Sequence, residues 1–326
     1  MKKFILSVFF FLVSLSTFSH HGVAAIGLAG LEGPGAPLET SSSVTIPEKS
    51  VLFYLKLDDA VFKKYTNEVD DEKDYSHFWM YGLGYGIKSW LSAYLLFPYN
   101  VKTKEDNSYN TAGFADISLM FVLGFKYDKG FKLVPKTESL DDLKDWHFTI
   151  YGGLSLPTGK ENLKNAEGEI ESDFSLGFGK PYYSIGFTST KMIGDKWTYL
   201  LDLNYILFQE YKYQTQFTYR FGEESRVNYA IVYRFFANQT KKARLDGGIE
   251  INYLNLKRDK EDGVELEAAG GDIIYVVPNF RFYIKNSSFA FGIKFPIWKD
   301  LNEGYLQQGS EGKERYRAIV TFSVIF

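Results

Sequence analysis

Large apolar and polar residues alternate along this chain from Val51 almost to its last residue. Ile117, Leu119, Phe121, Leu123, Phe125 and Tyr127 share one parity, while Asp116, Ser118, Gly124 and Lys126 share the other. Trp197, Tyr199, Leu201, Leu203, Tyr205 and Leu207 oppose Asp202 and Asn204 in the same way. So do Leu245, Ile249, Ile251 and Tyr253 against Asp246, Glu250 and Asn252, and Phe289, Phe291, Ile293 and Phe295 against Lys294. Val227, Tyr229, Ile231, Tyr233 and Phe235 repeat the pattern against Asn228 and Arg234. A period of two belongs to a β-strand with two unlike faces, and it excludes an amphipathic helix as the building unit. Many segments outrun the roughly five or six residues of a globular strand. They reach the roughly 9–11 that a tilted strand needs to cross a bilayer.

Which face is the core separates two architectures. A soluble sandwich buries its apolar face, whereas a membrane barrel turns that face to lipid and lines its interior with the other. Aromatic residues make up 18% of the 326 residues, as 29 Phe, 24 Tyr and 5 Trp, more than a soluble β-fold needs. The opposite faces mix Gly, Ser and Asn with charges of both signs. The expectation is an all-β, transmembrane, antiparallel up-and-down β-barrel. The absence of Cys excludes a disulfide scaffold, thiolate metal sites and thiol catalysis. A formal charge of −3, from 37 basic and 40 acidic residues, argues against a nucleic-acid partner. No cofactor is expected.

The N-terminus has the layout of an export signal, residues 1–19. Met1-Lys2-Lys3 is followed by the apolar run Phe4 to Leu15 and then by small residues, with cleavage after Ser19 or after Ala25. That run is too short to span a bilayer as a helix, which takes about 20 residues. Residues 20–50 precede the barrel of 51–326 and are broken by Pro34, Pro37 and Pro47. They form either a solvated periplasmic lead-in or a plug in the barrel mouth, where irregular backbone is tolerated because protein or water satisfies it. His20 and His21 are weak candidates for binding a divalent metal.

Twelve strands are expected, near 51–64, 76–87, 90–101, 112–127, 146–157, 174–191, 197–209, 226–236, 243–256, 271–284, 288–298 and 314–326. Outer-membrane barrels have short periplasmic turns and long external loops. Lys88-Ser89, residues 193–196 and Asn286-Ser287 then lie on the periplasmic side, and the long polar stretches, 210–225 and 257–270 among them, lie outside. The link from Asp128 to Asp145 breaks this rule, being long yet periplasmic. Ala318, Val320, Phe322, Val324 and Phe326 form a final apolar row. It resembles the signal read by the outer-membrane barrel assembly machinery, an expected partner beside outer-membrane lipid and a small-molecule solute.

Several stretches, in order, resemble the outer-membrane barrel family named as transporters of the meta pathway of phenol degradation. They are Gly113-Phe114-Ala115-Asp116-Ile117, Leu154-Ser155-Leu156-Pro157-Thr158-Gly159-Lys160, Leu176-Gly177-Phe178-Gly179, Trp197 to Tyr205, Tyr219-Arg220-Phe221-Gly222 and Val277-Pro278. Residues 33–43 also resemble the N-terminal stretch of exported members. The resemblance implies a barrel and the movement of small hydrophobic or aromatic compounds.

Strand parity places Lys56, Asp58, Asp116, His147, Tyr151, Asp202, Asn204, Arg234, Asp246, Glu250, Asn252, Arg281 and Lys294 in the lumen. A charge on the lipid face near the midplane costs about 2–4 kcal/mol, which favours this placement. Asp116, Asp202, Asn204, Arg234, Asp246, Glu250, Arg281 and Lys294 are the pathway candidates. Both signs occur, so paired charges are expected, and such pairs can also simply fill a narrow barrel. Gly82-Leu83-Gly84-Tyr85-Gly86 lacks the spacing of a dinucleotide loop and sits inside a strand pattern. The function expected is a channel for small, hydrophobic or aromatic molecules, without catalytic residues. The alternatives are a lipid-acting barrel enzyme using His77, or a structural or surface-binding barrel without transport. Refolded protein is expected to migrate faster in detergent gels before boiling than after it, and a missing heat shift would return the soluble sandwich.

Overall fold

Most alternating segments become strands, because a two-faced sequence can satisfy lipid and lumen only when successive side chains point opposite ways. The computed structural model describes residues 37–62, 75–103, 110–136, 143–164, 168–170, 172, 175–215, 217–238, 240–303 and 314–326. In chain order the first strands are β1 (Val51–Phe62), β2 (Tyr75–Lys88), β3 (Leu91–Thr103), β4 (Asn110–Phe114), β5 (Ile117–Tyr127), β6 (Phe131–Leu133) and β7 (Trp146–Leu156). Next come β8 (Tyr182–Ile193), β9 (Trp197–Leu207), β10 (Tyr211–Lys212), β11 (Thr218–Arg220), β12 (Glu224–Asn238) and β13 (Ala243–Leu256). The last are β14 (Lys260–Glu261), β15 (Val264–Glu265), β16 (Gly271–Ile284), β17 (Ser287–Leu301) and β18 (Glu314–Ile325).

Among the described residues, twelve antiparallel staves close a barrel, with β4 and β5 serving as the two halves of one stave. Closure is the pairing of β1 with β18, from Leu52 opposite Ile325 to Phe62 opposite Glu314. The faces are inverted relative to a soluble protein. Ile249 is 58% exposed while its neighbour Glu250 is 0% exposed. Trp79, Tyr183 and Trp298 near one rim and Trp146 and Trp197 near the other lie on the outward face, as the aromatic girdles of such barrels do.

Val51 and Phe326 exchange backbone hydrogen bonds of 3.1 and 2.8 Å, so the first and last staves begin and end side by side. The tight turns at 89–90 and 285–286 share that end, which the loop rule makes periplasmic. The long link after β5 is on this side too. It first folds back as β6 on β5, and Leu143 then tucks under the mouth against Val44 and Met192. Met192 N–H donates to the Leu143 carbonyl at 2.7 Å and Lys126 pairs with Asp145 at 2.9 Å. The link is long because it covers the mouth as well as joining two staves.

Three details correct the sequence reading. The stave expected to begin near 174 begins at Tyr182, and 175–181 is loop. The stave expected over 112–127 is interrupted at Ala115-Asp116. Residues 210–225 and 257–270, read as plain polar loops, contain β10, β11, β14 and β15, which form a small four-stranded sheet on the external side. Residues 1–19 and the pair His20 and His21 lie outside the described residues.

A Cβ on Gly186 would run into the ring of Tyr151 on the neighbouring stave. Gly186→Val is therefore expected to displace that ring and lower stability by about 1–3 kcal/mol, the usual scale of overpacking. Thermal unfolding in detergent measures this, and an unchanged midpoint would mean the ring is not held there.

Candidate functional site

The lumen is crossed by the chain itself. Residues 38–46 are all buried, with Thr40, Ser41 and Ser42 at 0% exposure. This strap enters beside Arg281, whose guanidinium donates to the Pro37 carbonyl at 3.2 Å, and returns to the periplasmic rim at Val51. Both its ends lie at the periplasmic half, so it is inserted without spanning. It has no strand partner, and its backbone donors go to side chains of the wall instead. Glu250 accepts the N–H of Leu38 (2.8 Å), Glu39 (3.0 Å) and Thr40 (2.7 Å), and the Thr40 hydroxyl (2.7 Å). Asp202 accepts Ser41 N–H at 3.2 Å, Thr190 Oγ1 accepts Ser43 N–H at 2.9 Å, and Ser92 Oγ accepts Ile46 N–H at 2.9 Å. An unpaired buried N–H costs about 1–3 kcal/mol, so these acceptors decide where the strap lies.

Space for the strap comes from the glycine series first weighed as a nucleotide loop. A Cβ on Gly86 would strike the Pro47 carbonyl, and one on Gly84 would strike Ile46. These positions face inward and stay empty so that the strap can press against β2.

Glu39 is the charged centre of the strap. Its carboxylate pairs with Lys56 of β1 and with Lys294 of β17, the latter at 2.7 Å, and all three side chains are buried. Burial alone would raise the Glu39 carboxyl, but Lys294 and Lys56 outweigh it and hold the group well below the usual glutamate range. The clamp therefore contributes in full above the ordinary glutamate value and is lost only as pH falls well beneath it. Beyond it, Arg317 joins Asp58 (3.6 Å) to Glu314 (2.7 Å) and carries the charge ladder toward the external rim.

The lumen also holds a large apolar cluster. One contiguous buried cluster links Phe178, Phe208, Tyr213, Tyr219 and Phe221 below the external loops to Tyr182, Ile206, Tyr151, Met120 and Val122 of the wall. It ends at Leu52 and Ile46. Phe178 packs edge-on to Phe221 with centroids 4.9 Å apart and lies 4.9 Å from Phe208. Two buried aspartates draw the loops inward. Asp116 accepts Gly159 N–H at 2.8 Å and Phe178 N–H at 2.9 Å, and Asp259 accepts Gly222 N–H and the Tyr219 hydroxyl, both at 2.7 Å.

A family model described as "Putative MetA-pathway of phenol degradation" matches residues 67–311. The chain belongs to that family. Among solved structures, it is similar to the COG4313 outer membrane channel from Pseudomonas putida F1, with a TM-score of 0.68 at 12% identity. That match covers 89% of this chain and 100% of that one, and it shows a shared outer-membrane barrel fold. The NanC porin matches at a TM-score of 0.45 and 7% identity, over 83% of this chain and 98% of that one. The translocator domain of autotransporter NalP from Neisseria meningitidis matches at 0.43 and 11%, over 85% and 88%. No curated protein matches the chain.

In this member of the phenol-degradation family, three of the resembling stretches meet in space. Asp116, Thr158-Gly159 and Leu176-Gly177-Phe178 come from three places in the chain and form one knot at the external mouth. Asp202, Glu250, Arg281 and Lys294 all face the lumen around the strap, and Asn204 reaches the same group through the Tyr151 hydroxyl at 3.3 Å. Asp246 is apart, paired with Arg244 toward the periplasmic end, and Asp116 is at the opposite mouth. Arg234 is half-buried beside a bulge, its guanidinium 3.8 Å from Met192 Sδ. Lys56, Asp58, His147, Tyr151 and Asn252 are buried and inward. Sequence reading named none of Glu39, Phe178, Phe208, Phe221 and Asp259 as a site residue, although Phe178 and Phe221 lie in two of the resembling stretches. The alternation of Tyr211, Tyr213, Phe217, Tyr219 and Phe221 inside a stretch read as polar was the available signal.

Asp116→Ala leaves two loop N–H groups without an acceptor, at a cost of about 1–3 kcal/mol each if they stay buried. The expected outcome is release of the loop between β7 and β8, seen as new proteolytic cleavage there while the barrel stays heat-modifiable. Unchanged cleavage would mean Asp116 does not hold the loop.

Proposed function

We propose that the protein is an outer-membrane channel for small hydrophobic or aromatic molecules, closed at rest by residues 37–47. The observation that carries this reading is the strap inside the barrel, held by acceptors of the wall beside a buried aromatic cluster. A buried aromatic and aliphatic cluster extends from the external mouth down to Ile46 and Leu52, interleaved with polar groups of the same staves, among them Thr149 of β7, Thr188 of β8 and Asp202 and Asn204 of β9. Lys56, Asp58, Glu250, Arg281 and Lys294 line β1, β13, β16 and β17, where Leu254, Ile273 and Val277 are buried as well. A solute moving along the apolar cluster would meet surface that favours it through burial and ring stacking. The strap is held by polar contacts, which can break and re-form, rather than by strand pairing.

A second reading, lipid hydrolysis, has one observation in its favour. His77 lies 2.8 Å from Asp59 on the outward side of the barrel, near the external rim. The adjacent Ser76 points the other way by strand alternation, so this pair has no neighbouring nucleophile in sequence. Channel function therefore fits the site better.

The decisive comparison is planar-bilayer conductance and solute uptake into vesicles for the wild type and two variants. Glu39→Gln removes the shared partner of two buried lysines, a loss of about 3–5 kcal/mol if the strap stays in place. It is expected to raise conductance by freeing the strap. Asp202→Leu is expected to alter conductance or uptake while the barrel keeps its detergent resistance. Silence of all three proteins toward ions and aromatic solutes alike would leave a structural barrel as the answer. Loss of lipid hydrolysis on changing His77 would favour the enzyme.

A further inference from the structure

Where the small external sheet meets the barrel rim there is a cavity of about 480 Å³, lined by the basic Arg220, Lys257, Arg258 and Lys260 and by the carboxylates of Glu223, Glu265 and Asp272. Register shows which way it faces. Arg220 is opposite Lys260 across β11 and β14, so their side chains share one face of the small sheet. Tyr219, on the other face, is buried over the lumen, so Arg220 and Lys260 point away from it. Asn255 is opposite Asp272 across β13 and β16, on the same parity as the lipid-facing Ile249 and Ile251. The crevice is thus outside the channel, at the external rim, where the staves leave the membrane.

Its charges are unevenly committed. Arg220 has Glu223 at 3.6 Å and Lys260 has Glu265 at 3.1 Å. The Asp272 carboxylate already accepts the Tyr253 hydroxyl at 2.6 Å and the Asn255 amide at 2.8 Å. Among the described residues, Lys257 and Arg258 have no carboxylate partner, and both line the cavity. Two cations without a carboxylate partner, flanked by two that have one, suit a phosphate carried on a polar group. The volume falls in the range of small-molecule sites, roughly 300–1,000 Å³.

We propose that this crevice binds a phosphate monoester, and that its occupant in the membrane is the phosphorylated headgroup of an outer-leaflet glycolipid. The position selects the lipid over a free anion, since a basic pocket beside a membrane surface sees headgroups at high local concentration. The site is independent of the channel reading.

The test uses the refolded full chain in neutral detergent with three probes: a bisphosphorylated glucosamine-disaccharide lipid, the same lipid without phosphates, and inorganic phosphate. Binding is read by thermal shift and native mass spectrometry. The phosphorylated lipid is expected to bind at least about tenfold more tightly than the other two, the scale of one charge-assisted hydrogen bond. The double variant Lys257→Gln, Arg258→Gln is expected to lose about tenfold or more of that affinity while keeping heat-modifiable migration and its ligand-free unfolding midpoint. Equal binding of the two lipids, or an unaffected double variant, would overturn the site. Inorganic phosphate binding as tightly as the lipid would overturn the headgroup as its occupant.

Discussion

The interior of this barrel depends on one accounting constraint, that each backbone donor of the inserted strap needs an acceptor where there is neither a strand ladder nor bulk water. Glu250 and Asp202 meet most of it. A single carboxylate at Glu250 receives three successive N–H groups and a hydroxyl, and Asn279 supports it from the neighbouring stave at 3.0 Å. A buried carboxylate is costly unless its charge is met by donors, and a buried irregular backbone is costly unless its donors are met by acceptors. Each solves the other's problem. The glycines of β2 and the lysine pair around Glu39 follow from it, since the strap can be held only if it also fits and its own charge is matched.

The same principle governs the external mouth with different residues. Asp116 and Asp259 each take backbone N–H groups from loops that would otherwise extend into water. In return the loops lay Phe178 and Phe221 into the aromatic cluster. Burial of these rings supplies the apolar gain and the aspartates supply the geometry. The stave interruption at Ala115-Asp116 now has a role, because a carboxylate free of the regular ladder can turn toward two loop segments at once. The periplasmic link does comparable work at the other end with Leu143 against Val44.

Much of the barrel was legible because its causes are local. Inward or outward direction follows residue by residue from alternation, and Glu250, Asp202 and Lys294 were placed in the lumen by parity alone. The misreading at 174–181 arose from the same rule. Leu176 and Phe178 alternate with glycines as a strand would, yet the apolar face they form is covered by the mouth cluster instead of lipid. Residues 211–221 went the other way, since their polar companions masked an alternation that also ends on that cluster. Alternation reports a two-faced segment and does not say what each face meets.

The contacts that define the site were beyond such reasoning. Leu38 and Glu250 are 212 positions apart, and Lys294 and Glu39 are 255 apart. Local pattern therefore determined a chain of two-faced membrane strands, their approximate number and the sign of each face. Only the closed barrel decided that residues 37–47 lie inside it, which carboxylate receives their backbone, and which loops meet at the mouth. The reason is physical: strand direction is set by neighbours in sequence, whereas the pairing of buried charges and donors is set by whichever groups closure brings within hydrogen-bond reach.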